Sequence, residues 1–297
     1  VVDRQDAAVA VFTAHRNLLF TVAYEMLGSA ADAEDVLQET WLRWAAVDLD
    51  AIREHRAYLV RITTRQALDR LRALRRRRET YVGPWLPEPL LTAPDVAENL
   101  ELAESLSAAM LLVLETLTPT ERAVFVLREV FDVSYEEIAA AVDKTPATVR
   151  QIAHRARRHV DARRPRATVS PSRTRAVLDS FQRALETGDV QGLLDVLAPD
   201  VVLMSDGGGI TQAALRPITG AESVVRFILG GIGKTDAAIV IDPLVLNGGP
   251  ALRFRLDDVL DGVMAFRVAG DRIDGLYFVR NPQKLTRVAT ETPLTAR

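Results

Sequence analysis

Between Thr145 and Arg158 the chain reads TPATVRQIAHRARR, and as a helix it has two unlike sides. Thr148, Arg150, Gln151, His154, Arg155, Arg157 and Arg158 face outward, while Val149, Ile152, Ala153, Ala156 and Val160 recur at the spacing of a buried stripe. A guanidinium can pair bidentately with guanine or hold a phosphate, and a glutamine carboxamide can read adenine. The chemistry expected of this face is recognition of DNA. A second cationic track, Arg61, Arg65, Arg72 and Arg76, lies along one side of the stretch 56–78. The run Arg75–Arg78 also suits the negative end of a helix dipole. Upstream, Asp32, Glu34, Asp35, Gln38 and Glu39 form a polar, mostly acidic face with apolar Val36 and Leu37 behind it. Such a face suits a basic protein partner and repels DNA.

Residues after 170 offer little for catalysis. All four histidines, His15, His55, His154 and His159, come earlier, and the chain has no cysteine. An imidazole base or a nitrogen/sulfur metal site is therefore excluded there. Asp206 has the chemistry of a general base, with Tyr277 or Arg280 as an oxyanion partner, as in carboxylate-driven isomerisation. Beside Gly207, Gly208 and Gly209, however, one carboxylate is expected to make a turn. No catalytic residue, metal or cofactor is predicted.

The elements that position these residues follow from local chemistry. Ser134 and Glu137 have capping-box spacing for a helix from Tyr135 to about Val142. After Asp143 and Lys144, Thr145 caps again and Pro146 takes the first helical position. Two short helices around a tight break, the second basic, describe a helix-turn-helix. Residues 5–80 are predicted helical, with Gly28 ending the first helix and Tyr24, Trp41 and Trp44 in the core. The stretch YVGPWLPEPLLTAP (81–94) holds four prolines and reads as an extended linker. A helix is expected from near Asp95 and another from Pro119. A second, proline-broken linker follows at 163–173. After a helix at about 175–187, the segments DVVLMSD, AAIVIDPLVL, ALRFRLDDVL, VMAFRVAGDRI and GLYFVRN read as strands parted by Gly, Asn or Asp turns. The predicted organisation is multidomain: all-α 1–80, linker 81–107, all-α 108–165, linker 166–174, and an α+β domain at 175–297.

The 297 residues suffice for two or three cores. Net charge is only −3, but it is laid out in alternating acidic and basic blocks, which points to separate surfaces for separate partners. With no long uncharged apolar run, neither a signal peptide nor a membrane span is expected, and the expected compartment is the cytoplasm.

Three ordered motifs, DAEDVLQETWLRW (32–44), RAYLVRITTRQALDRLRALRRRRE (56–79) and LTPTERAVFVLREVFDVSYEEIAAAVDKTPATVRQIAHRAR (117–157), resemble bacterial sigma factors of the extracytoplasmic-function type. The resemblance implies two all-α parts, sigma regions 2 and 4, and a transcription initiation factor whose partners are core RNA polymerase, at the β′ coiled coil and the β flap, and promoter DNA. It places Asp32, Glu34, Asp35, Gln38 and Glu39 on the β′ coiled coil. Arg61, Arg65, Arg72 and Arg76 would hold the single strand of the −10 element, a positive track with room for unstacked bases. Thr148, Arg150, Gln151, His154, Arg155 and Arg158 would meet the −35 element. FQRALETGDVQGLLDVLAPDVVLMSDGGG and the strands after it resemble the SnoaL-like, nuclear-transport-factor-like cone. Sigma factors with such a fused domain show WLPEP, DGGG and NPxKL. Here these are Trp85–Pro89, Asp206–Gly209 and Asn281–Leu285. The resemblance implies that Trp85, Pro87, Asp206, Gly207, Gly208, Gly209, Asn281, Pro282, Lys284 and Leu285 form a docking surface through which the extension regulates the sigma part. The alternative is a DNA-binding regulator tethered to a small-molecule-binding or isomerase/cyclase-like domain.

Overall fold

A computed structural model describes residues 2–78, 80–93, 100–163 and 170–296. The first helix, α1 (Val2–Leu27), stops at Gly28, whose φ of +67° is costly for most other residue types. A Cβ there would also lie 2.8 Å from Cη2 of Trp85. Ser29 then accepts from the Asp32 amide and starts α2 (Ala30–Ala45), which is followed by α3 (His55–Arg78). The three helices enclose Phe20, Tyr24, Trp44 and Leu59. The Trp44 indole donates to the Ala8 carbonyl at 2.9 Å, and Trp41 is half-buried against Phe12.

Residues 94–99, where a helix was expected to begin, lie outside the described residues. Within the stretch read as linker, α4 (Leu100–Leu106) precedes α5 (Ala108–Glu115) and α6 (Pro119–Phe125), which runs on as a π-helical turn, Val126–Val130. The helix-turn-helix follows as α7 (Tyr135–Val142) and α8 (Pro146–Asp161). Ser134 and Glu137 form the expected capping box, Thr118 and Glu121 form a second, and Asp143 ends α7 in the left-handed conformation. Val149, Ile152, Ala153, Ala156 and Val160 are the buried stripe of α8. Glu25 of α1 is buried among these helices: Ser105 Oγ donates to its carboxylate at 2.6 Å, and Arg122 donates to its carbonyl. Burial pushes the Glu25 carboxyl up to about 7.

Of the second linker, residues 166–169 lie outside the described residues. The last part is α+β, as expected: α9 (Pro171–Thr187), α10 (Val190–Val196), β1 (Leu197–Asp206), β2 (Ile218–Thr219), α11 (Ala221–Ile232), β3 (Ile239–Leu246), β4 (Gly249–Leu256), β5 (Val259–Ala269) and β6 (Arg272–Val279). One sheet has the order β2-β1-β6-β5-β4-β3, parallel only between β1 and β6. ALRFRLDDVL is not one strand, because Asp257 and Asp258 both have positive φ and turn β4 into β5. The concave face packs on α9–α11 and is filled by Phe181, Phe254, Leu276 and Met264. Alternation puts Leu246, Ala251, Val263, Tyr277 and Val279 on the other face, where Leu86, Leu285, Val288 and the α5 residues Ala108 and Leu112 cover them.

Candidate functional site

The outward face of α8 is open. Arg150, Gln151, His154 and Arg155 line one shallow hollow, Arg158 is exposed beside it, and Thr148 is half-buried. Arg150 is pre-oriented by Glu136 at 3.3 Å and by the Tyr135 ring, 5.5 Å from its centroid. Arg157 faces outward as expected, but it is not free. Its Nε and Nη2 donate to Glu129, at 3.0 and 2.6 Å, which ties it to the π-helical turn.

On α3 the Arg61 guanidinium lies 4.8 Å from the Tyr58 ring centroid. Tyr58, Arg61, Ile62, Arg65, Gln66 and Arg43 surround a hollow of about 270 Å³. Sequence reading did not single out Tyr58, although its spacing of three from Arg61 puts both on one helix face. Arg65 is occupied: Nη2 donates to the Ala140 carbonyl at 2.7 Å and Nε to that of Ala141 at 3.3 Å. A guanidinium thus satisfies the free carbonyls at the end of α7. Arg72 pairs with Asp69 at 2.9 Å, and the Arg76 side chain lies outside the described residues. Arg70, on the opposite side of α3, binds Asp32 at 2.6 Å and Asp35 at 2.8 Å. Glu34 accepts from Arg16 and from Arg287. Asp35 is exposed but held by Arg70, so the open part of α2 is Gln38 and Glu39, extended one turn by Leu42, which is 70% exposed.

Parallel pairing of β1 with β6 brings the ends of two motifs together, and the Arg280 and Asn281 amides donate to the Asp206 carbonyl. The Asp206 side chain is fully buried and fully bonded. Oδ1 accepts from Tyr81 Oη at 2.6 Å and the Gly208 amide at 3.0 Å; Oδ2 accepts from the Leu86 amide at 2.8 Å and Lys284 Nζ at 2.7 Å. Lys284 Nζ also donates to the Leu86 carbonyl at 2.6 Å and sits 4.3 and 4.9 Å from the Trp85 and Tyr81 ring centroids. Burial and the Asp206 carboxylate push the Tyr81 phenol up. Gly208, at φ +62°, leaves the space that the Asn281 carboxamide fills, since a Cβ there would lie 2.2 Å from Nδ2. Asn281 Nδ2 in turn donates to Tyr81 Oη, Leu285 packs with Leu86, Pro87 is buried, and Pro282 stays exposed on its short turn.

The same linker grips the first helical part. The Glu88 carboxylate accepts the Ala30 amide at 2.7 Å and the Ala31 amide at 3.3 Å, and the Glu88 carbonyl accepts from Tyr24 Oη at 2.6 Å. Asn247 closes the ring, donating to Tyr24 Oη and accepting from the Leu90 amide. Burial pushes the Glu88 carboxyl up, against those amide bonds. Glu88 enters the sequence reading only as a position of WLPEP, without a role, and Asn247 not at all, because their partners lie 58 and 157 residues away. Asp206, Tyr277 and Arg280 do not form a catalytic set: Asp206 has no oxygen free for a proton, Tyr277 is buried, and Arg280 pairs with Asp261 at 2.6 Å.

Residues 11–77 match the family described as Sigma-70 region 2, and residues 107–160 match Sigma-70, region 4. The ECF RNA polymerase sigma factor SigJ of Mycobacterium tuberculosis is 36% identical over 293 residues, covering 94% of this chain and 93% of that protein. The probable ECF RNA polymerase sigma factor SigI of the same species is 31% identical over 291 residues, covering 97% and 98%. The crystal structure of M. tuberculosis SigJ superimposes with a TM-score of 0.76 at 32% identity, over 97% of this chain and all of that one. The helical regions 2 and 4, the fused α+β domain and this full-length similarity together mean that the chain belongs to the extracytoplasmic-function RNA polymerase sigma factors, initiation factors that bind core polymerase and direct it to promoters.

Proposed function

We propose that this factor rests in a closed form in which its C-terminal domain and the linker restrain the two promoter-reading parts, and that undocking switches initiation on. In the open form Asp32, Glu34, Asp35, Gln38 and Glu39 meet the basic coiled coil of β′. Arg61, Arg65, Arg72 and Arg76 hold the melted −10 strand, with an unstacked base in the hollow beside Tyr58, and α8 reads the −35 element. The observation that carries this reading is the two-sided use of one segment: Tyr81 and Leu86 bond Asp206, while Glu88 bonds the start of α2. Arg65 adds to it, since its Nε and Nη2 are taken up by the α7 carbonyls in this arrangement and the side chain is held toward α7. A fused domain acts at an effective concentration of about millimolar, so even weak docking is populated.

A disulfide staple tests it. The chain has no cysteine, and a Cβ at Gly209 would lie 3.2 Å from the Val82 Cβ, close to the disulfide spacing of about 3.5–4.5 Å. Oxidised Val82→Cys/Gly209→Cys is expected to transcribe at least about tenfold less than the same protein reduced. Equal run-off transcription from the two forms would defeat the closed-form reading.

Reading and holding on α8 separate in a second experiment. Gln151→Ala or Arg155→Ala should cost about 1–3 kcal/mol on the preferred −35 sequence and relax preference at one position. Arg158→Ala should weaken all sequences alike and lower the salt slope by about one. Arg157 is unsuitable as the holding control because its loss also frees Glu129. If holoenzyme binding across promoter variants and salt shows no difference between the two classes, the base-reading face of α8 is misassigned.

A further inference from the structure

We propose that the segment 287–296, beyond the NPxKL motif, is a strap that competes with core polymerase for α2, using an arginine in place of the polymerase's basic surface. The proposal rests on the reading of α2 as the polymerase-docking helix.

After the turn at Pro282–Lys284 the chain leaves the β-sheet and returns to region 2. Val288 is buried beside Leu86 on the outer face of the sheet. The Arg287 carbonyl accepts the Leu91 amide at 3.4 Å, and the Thr292 amide donates to the Leu91 carbonyl at 2.8 Å, so the segment lies along the linker. Leu294, 7% exposed, belongs to the apolar core of the sigma regions, and the Thr295 amide donates to Thr21 Oγ1 at 3.1 Å. The segment is thus anchored at both ends by burial and by backbone bonds. Between these anchors Arg287 reaches α2: Nη2 lies 3.1 Å from Glu34 Oε1, and the guanidinium carbon is 6.0 Å from the Phe20 ring centroid.

Glu34 is one of the acids that a basic partner would meet. Arg16, part of region 2 itself, already bonds both Glu34 oxygens; Arg287 adds a second guanidinium, which screens the negative face further and fills the space that the partner needs. Alone, a half-exposed ion pair contributes little. Held by Leu294 and Val288, the arginine is presented intramolecularly, and the partner must displace an attached competitor rather than a free ion. Unlike the contacts around Asp206, this one acts on the polymerase face itself.

The test measures affinity of the full chain for purified core polymerase by fluorescence anisotropy. Arg287→Ala should tighten binding about two- to fivefold. A chain ended after Thr290, which removes the Leu294 anchor, should bind about tenfold tighter or more. A synthetic peptide of residues 286–297 added to the shortened chain should return its affinity toward the starting value. If the shortened chain loses thermal stability, the Arg287→Ala protein decides, because its packing is left in place. Unchanged affinity in Arg287→Ala, with thermal stability also unchanged, overturns the strap. Gln38→Lys/Glu39→Lys distinguishes the two levels of inference. If that double variant binds core polymerase normally, α2 is not the docking helix and the strap falls with it. If it loses binding while the Arg287 and shortened chains match the parent, the strap alone falls.

Discussion

Replacing Lys284 with alanine should raise transcription from a matched promoter about tenfold or more without changing which promoter is chosen. Lys284 Nζ is the one cation recorded on Asp206 among the described residues, and the carboxylate has no exposure to water. Removing one partner of a buried ion pair typically costs about 3–5 kcal/mol, because the remaining charge stays buried. Here the Tyr81 hydroxyl and the Leu86 and Gly208 amides remain on Asp206 and soften that cost. The Leu86 carbonyl and the Trp85 and Tyr81 rings lose their cation as well. A shift of about 1.4 kcal/mol in the docking equilibrium is already tenfold in the open fraction wherever the closed form dominates. Undocking has its own signal. Trp85 loses a cation 4.3 Å from its ring, so its emission should change. Gln283→Ala, one residue away and exposed, should do neither. Changed Trp85 emission with unaltered run-off output would mean that docking does not control initiation.

How far the sequence discloses this site depends on the range of the interaction. The stripe of α8, the Ser134–Glu137 capping box and the Gly28 stop are local events, set by residues within a turn or two, and they are legible as such. DGGG and NPxKL are visible as motifs, but composition gives no reason for an aspartate before three glycines beyond a turn. The reason lies 120 residues upstream, in the Leu86 amide. Glu88 is likewise visible only as one position of WLPEP, with no role of its own until the first amides of α2 are placed on it. Arg65 and Arg72 look alike on a helical projection. One of them meets the end of α7, a consequence of how two regions pack and not of the periodicity of either. The segment after residue 286 carries no motif at all, and its anchor, Leu294, is one leucine among threonines.

The same distinction governs the choice of residues for a test of polymerase docking. Asp35 and Glu39 both look like solvent-facing acids, but Asp35 shares Arg70 with Asp32, so a lysine there would set two cations side by side and disturb α3. Gln38 and Glu39 are both exposed and lie next to each other on the open face, one turn before Leu42. Gln38→Lys/Glu39→Lys should therefore weaken binding to core polymerase about 100-fold, since like charges facing across an interface cost several kcal/mol. Helix content and melting temperature should not move, because neither position is buried. Leu42→Ala is expected to add a loss of about 1–2 kcal/mol if the leucine is the apolar anchor of this interface. High salt should weaken the parent and bring it toward the double variant, because the attraction removed is screened. Retention of parental affinity by Gln38→Lys/Glu39→Lys at low salt would remove α2 from the polymerase interface, and the acidic face of region 2 would then have to be explained by its internal partners, Arg16, Arg70 and Arg287, alone.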